Sequence, residues 1–205
     1  MRTTRLALAG ALLALGGCAS APPVSAPPIT SYRGVEVERG DLRRVAVLPF
    51  QNETAFPEEA DAVAEALLDE VRKRGRFEAF PLRLREEEDP GEVARRRGEF
   101  RKELLMELRR SHGADAALFG VITAYSPYLP PRLGVKLELV STLTGEVAWS
   151  AEGLLDAAEA RTTEDMKRYY RESAPPGGSL YDWQLLLYSP QRFLRYACQR
   201  LAATL

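Results

Sequence analysis

Arg44-Val45-Ala46-Val47-Leu48-Pro49-Phe50 decides how this chain folds. Its unbroken apolar run has no alternation and stops at a proline, as a strand buried on both faces does. Asn52, Thr54 and Pro57 then supply a turn. From Glu58 to Arg74, residues Ala60, Val63, Ala64, Leu67 and Val71 recur at helical spacing. Acids in the first turn, Arg72-Lys73-Arg74 in the last and Gly75 just beyond mark both ends of that helix. Phe77 to Leu84 alternates and reads as the next strand. A strand, a helix and a second strand in this order call for parallel pairing, because the crossover returns the chain to the same end of the sheet.

Asp89-Pro90-Gly91-Glu92 places an N-cap aspartate, a proline and a capping-box glutamate before a helix predicted from there to Ser111. Phe100, Leu104, Leu105 and Leu108 form its apolar face. Three strands follow, over Ala116 to Tyr125, Leu133 to Ser141 and Glu146 to Gly153. In the middle one Leu133, Val135, Leu137 and Leu139 share a face, and Lys136 and Glu138 lie on the other. Thr144-Gly145 turns it into a hairpin that brings Val147, Trp149 and Ala151 to the same core. A helix is predicted over Thr163 to Arg171, and a last one begins at Ser189-Pro190, with Leu194, Cys198, Leu201 and Leu205 on its apolar face. The fold class is therefore α/β, a mixed five-stranded sheet with helices packed on it and a C-terminal helical extension.

Several of these motifs resemble a known family. The strand Val45-Ala46-Val47-Leu48-Pro49-Phe50 with Asn52, the segment Gly113-Ala114-Asp115-Ala116 leading to Phe119-Gly120, and the Thr144-Gly145-Glu146 hairpin with Trp149 are similar to periplasmic lipoproteins. These are the relatives of the TolB amino-terminal domain, of the curli-secretion component CsgG and of the penicillin-binding-protein activators. The resemblance covers about Arg44 to Ala151. It implies an α/β sandwich, no catalytic residues, and work through protein contacts or ring assembly at the outer membrane. Its members include secretion-pore subunits, exopolysaccharide-export rings and activators of peptidoglycan synthases. A pore would need further strands of ~9–11 alternating residues, and the clean alternating pair here is already committed to the core hairpin.

The amino-terminal residues address location. Arg2 and Arg5 precede an apolar run from Leu6 to Gly17 that is too short to cross ~30 Å of hydrocarbon. Leu15-Gly16-Gly17-Cys18 resembles a lipobox, which makes residues 1–17 a signal peptide and Cys18 the site of a covalent diacylglycerol and acyl anchor. The competing reading is secretory cleavage after Ala19-Ser20-Ala21. Ser20 stands where an inner-membrane retention signal has aspartate, so the expected location is the periplasmic side of a bacterial outer membrane. Residues 18–40, with Ala21-Pro22-Pro23 and Ala26-Pro27-Pro28, read as a tether. The α/β domain is then placed at 41–155 and the helical extension at 156–205.

Charge and chemistry exclude more than they offer. The chain has 28 Lys and Arg against 29 Asp and Glu. Removing Arg2 and Arg5 with the signal leaves 26 against 29, about −3. Arg95-Arg96-Arg97 and Arg109-Arg110 alternate with glutamates, as on a solvated helix face, so no nucleic-acid partner is expected. Once Cys18 carries lipid, Cys198 has no partner for a disulfide. The single histidine, His112, sits at a helix end beside Gly113, and no metal-ligand spacing or nucleophile motif occurs. No catalytic residue, metal or cofactor is therefore assigned.

What remains are aromatics. Tyr125-Ser126-Pro127-Tyr128-Leu129-Pro130-Pro131 is longer and more apolar than a hairpin needs. Tyr125, Tyr128 and Pro130 are contact candidates, as are Tyr181 and Trp183 beyond the core domain. The same rings could instead cover the sheet, and Tyr169-Tyr170 pose the same choice. The expected partner is an envelope protein or a second copy, with the membrane held through the anchor. A periplasmic hydrolase or carbohydrate-binding module is the alternative, and it would require a cleft with paired carboxylates.

Overall fold

In the computed structural model, residues 26–83, 95–96, 99–173 and 182–205 are described. The apolar run at Arg44 forms β2 (Arg44–Val47), the hub of a seven-stranded mixed sheet. The other strands are β1 (Ile29–Arg33), β3 (Gln51–Asn52), β4 (Glu78–Pro81), β7 (Ala116–Ser126), β8 (Arg132–Ser141) and β9 (Val147–Asp156). Their order is β1-β9-β8-β7-β2-β4, with β3 extending the β2 side along β7. As the strand-helix-strand pattern requires, β2 pairs in parallel with β4, and it also pairs in parallel with β7. Between β7, β8, β9 and β1 every pairing is antiparallel.

The sheet exceeds the expected five strands through β3 and β1. The second addition revises the tether, since residues 29–40 form β1 and α1 (Val35–Arg39) rather than a free linker. Ile-Thr-Ser-Tyr-Arg is rich in β-formers, and pairing it with β9 satisfies backbone groups that would otherwise line an open edge. Gly34 then lets the chain pass close to β9, because a Cβ there would lie 3.0 Å from the Ala148 carbonyl oxygen.

On one face lie α2 (Ala60–Arg74), α4 (Ala160–Ser173), α5 (Leu185–Tyr188) and α6 (Pro190–Ala202). Their buried residues, among them Val63, Leu67, Met166, Phe193 and Leu201, join Val45, Ile122, Leu137, Trp149 and Leu155 in one core. The carboxyl-terminal helices are therefore part of the domain's packing. Trp149 Nε1 donates to the Thr204 carbonyl at 3.1 Å, and Arg76 donates to Leu205 O and Val37 O. A proline and a serine place α6 as expected, the Ser189 hydroxyl accepting from the Arg192 N–H.

The other face carries a smaller cluster, in which α3 (Lys102–His112) lays Leu105 and Leu108 on Ala46, Leu48, Ala117, Phe119 and Val140. Of the helix predicted from Asp89 to Ser111, the described part is a short ribbon of β5 (Arg95–Arg96) and β6 (Glu99–Phe100) followed by a helix from Lys102. Asp89 lies outside the described residues. Phe100, expected on the helix face, lies before the helix: its ring centre is 4.8 Å from that of Phe119, and the backbone at Arg101, between Phe100 and the helix, is extended. Tertiary packing of one ring has overridden local helix propensity. Val147 also departs from its expected face. An irregularity in pairing between Leu139 and Val140 sets Val140 opposite Val147, and both join the α3 cluster while Trp149 and Ala151 face the main core.

Candidate interaction surface

The loop between β7 and β8 is built from its root outward. Asn52 Oδ1 accepts from the N–H and hydroxyl of Thr54, while Asn52 Nδ2 donates to the Phe56 carbonyl, so the turn after β3 presents Phe56 at a fixed place. Tyr125 meets that ring edge-on at 5.8 Å and Tyr128 meets it at 6.0 Å. Pro131 is buried, and its carbonyl accepts from the Ala157 N–H, which fixes the other end of the loop to β9.

The two tyrosines then part company. Tyr125 is 5% exposed and packs in the main core, so it belongs to the loop's foundation. Burial, reinforced by the negative charges of Glu59 and Glu58, pushes its phenol up to about 12. Tyr128 and Leu129 are 70% and 57% exposed, and Pro130 is exposed beside them. Leu129 is an exposed apolar residue of the tip that the sequence did not single out. Only its position at the tip of a proline-rich loop signalled it.

Trp183 is half-buried, with the Lys167 ammonium 5.1 Å from its ring centre. Tyr181 lies outside the described residues. Tyr169 packs edge-on against Tyr196, and the Tyr170 hydroxyl donates to Asp182 Oδ2 at 3.1 Å, so both rings bind the carboxyl-terminal helices together. Next to them, on α5, Leu185 and Tyr188 are exposed.

Groups that could do chemistry are engaged elsewhere. Asp165, 2% exposed, accepts from Tyr196, Arg200 and Arg168 at 2.8, 2.7 and 2.9 Å and so clamps α4 to α6. No pattern in the sequence distinguished it from other acids on that helix. Asp115 Oδ2 accepts from the N–H groups of Arg43 and Arg44, each at 3.0 Å, and staples the start of β2 to β7. Cys198 is fully buried in the main core, and burial pushes its thiol well above the usual range, which leaves it a small hydrophobe. His112 ends α3 against Phe80, ring centres 6.1 Å apart, and its carbonyl accepts from Arg44. Among the described residues no group of three His, Cys, Asp or Glu could hold a metal ion, and no helix is long and apolar enough to cross a membrane.

A cleft of about 590 Å³ lies between α2 and β4 at the carboxyl ends of β2 and β4, with Asp61, Glu65 and Asp69 along one wall. These acids follow one another every four residues on the exposed side of a single helix, roughly 6 Å apart along its axis.

No protein-family model and no curated protein sequence matches the chain. Among solved structures it is similar to the PelC dodecamer from Paraburkholderia phytofirmans, at 22% identity and a TM-score of 0.47, over 67% of this chain and 87% of that one. It is also similar to lipoprotein GNA1162 from Neisseria meningitidis, at 17% identity and a TM-score of 0.42, over 64% and 98%. The LpoB C-terminal domain from Escherichia coli is a third, at 16% identity and a TM-score of 0.37, over 54% and 80%. Each is a likeness of chain path over about half to two thirds of this protein.

Proposed function

We propose that this chain is a lipid-anchored protein of the bacterial outer membrane, facing the periplasm, that works without catalysis by contacting an envelope protein or its own copies. The observation that carries the reading is the β7–β8 loop. Phe56 and Tyr125 hold its root in the core, and Tyr128 and Leu129 stand exposed at its tip. Apolar side chains kept in water on a rooted loop lose little conformational entropy on binding, which is the property of an interface anchor. The Leu15-to-Cys18 motif supports the membrane attachment.

Two measurements test the two halves. A photoreactive residue placed at Tyr128 in the full chain should form a discrete protein adduct in isolated membranes; irradiation that yields no adduct overturns the contact role. Cys18→Ala should move the protein from the membrane to the soluble fraction and end its labelling with palmitate. Persistent labelling would show that the anchor is not at Cys18.

A further inference from the structure

The two ends of the seven-stranded sheet are finished differently. At the β4 end, the N–H groups of Glu78 and Leu82 donate to the carbonyls of Arg43 and Val47, so these residues face β2 while Ala79 and Pro81 turn their backbone outward. Pro81 has no N–H to offer, and Arg72 Nε donates to the outward Ala79 carbonyl at 2.9 Å. That edge is closed to another strand.

At the β1 end nothing comparable is found among the described residues. The Gly34 N–H donates to the Ala148 carbonyl at 2.7 Å, and the register runs from Ile29 opposite Gly153 to Arg33 opposite Trp149. Thr30 and Tyr32 therefore exchange their hydrogen bonds with β9, and the N–H and C=O groups of Ile29, Ser31 and Arg33 point away from the sheet. Residues 30–33 are all exposed, Tyr32 to 56%. The strand contains no proline, no lysine and no irregularity in its pairing.

We propose that β1 pairs antiparallel with β1 of a second copy of this chain, about a twofold axis through Ser31. The proposal rests on the contact role argued above and names one surface and one partner for it. Self-complementarity argues for this occupant. The three outward residues are centred on Ser31, so Ile29 meets Arg33 of the second copy and Ser31 meets Ser31, which pairs about six backbone groups on each side. Thr30 then lies beside the exposed Tyr32 ring of the other copy, an aromatic and β-branched cross-strand pair. A parallel arrangement would instead bring the two Arg33 side chains together. Because β4 is closed and β3 is only two residues long, the five-residue β1 finds its match among the described strands in another β1, and the assembly ends at a dimer. Five residues make a weak contact in dilute solution, but confinement by the anchor expected at Cys18 raises the effective concentration.

Disulfide trapping in membranes carrying the full chain tests this. In the proposed register the Ser31 Cα atoms are ~5.5 Å apart, within disulfide reach, whereas the Thr30 Cα atoms are ~8 Å apart, beyond it. Under mild oxidation Ser31→Cys should give at least about ten times more covalent dimer than Thr30→Cys. Ser31→Pro removes an outward N–H without touching the β9 ladder, so it should abolish chemical cross-linking of the dimer while leaving the thermal midpoint nearly unchanged. Equal trapping at both positions, no dimer at either, or capture of Ser31→Cys in an adduct with a different protein overturns the pairing. Loss of the Ser31 result with the Tyr128 adduct intact removes only this dimer and leaves the contact role standing.

Discussion

Beneath α2, α4, α5 and α6 the sheet presents Val45, Ile122, Val135, Leu137, Trp149 and Leu155 to one continuous core, whereas the opposite face has only α3, over Ala46, Leu48, Phe119 and Val140. Beyond Val140 that second face passes to Lys136, Glu138, Ser150 and Glu152, which are half-buried or exposed. One layer of helices thus carries most of the hydrophobic stabilisation, and the domain leaves part of a sheet face, an edge strand and a loop tip in contact with water. Buried charged residues in the helical layer, such as Asp165, hold it together. Exposed apolar residues such as Tyr128, Leu129 and Tyr32 lie where that layer ends.

The largest effect should come from cutting the layer's own clamp. Asp165→Ala removes a buried carboxylate shared by Arg200, Arg168 and Tyr196 and should cost ~3–5 kcal/mol in chemical denaturation. A loss below ~1 kcal/mol would mean that α4 and α6 are held by packing alone. Leu137→Ala, on the covered face, should cost ~2–5 kcal/mol.

Alkaline pH reads the loop root. Tyr125 is raised to about 12 in the folded protein against about 10 unfolded, so its contribution is fully present below pH 10 and lost as pH rises towards 12. Two units correspond to about 3 kcal/mol. Burial raises Tyr169 and Tyr196 in the same direction, so the comparison must be with Tyr125→Phe, which should lose less stability than the parent over that window. Parallel pH profiles for the two proteins would place Tyr125 in a solvated site. The smallest effect sharpens the contrast between faces: Lys136→Ala, next to Leu137 but on the thin side, should change stability by less than ~0.5 kcal/mol. Equal losses at 136 and 137 would erase the difference between the two faces.

The parts of the fold that were legible in the sequence are those where local pattern and tertiary demand agree. Val45 to Leu48 is apolar on both sides because helices cover both sides of β2, and the stripe from Val63 to Val71 is the face α2 buries. Gly75 and Gly145 adopt positive φ, of 65° and 75°, where the helix end and the hairpin turn require it. The misread parts depended on partners far along the chain. Nothing local to Ile29–Arg33 reveals that β9, more than a hundred residues later, offers a free edge, and Phe100 left the helix for a ring on β7. The surface was half legible for the same reason. Tyr125 and Tyr128 are three residues apart with the same chemistry, and only the position of Phe56 and the core beneath it separates a foundation from a contact.

The most direct test of the account replaces both tip residues, Tyr128→Ser with Leu129→Ser, in the full chain and measures two things on one preparation. The account predicts a thermal midpoint within about 2 °C of the parent together with loss of chemical cross-linking at this loop in membranes. A midpoint lower by many degrees, or cross-linking at this loop that survives unchanged, would contradict it.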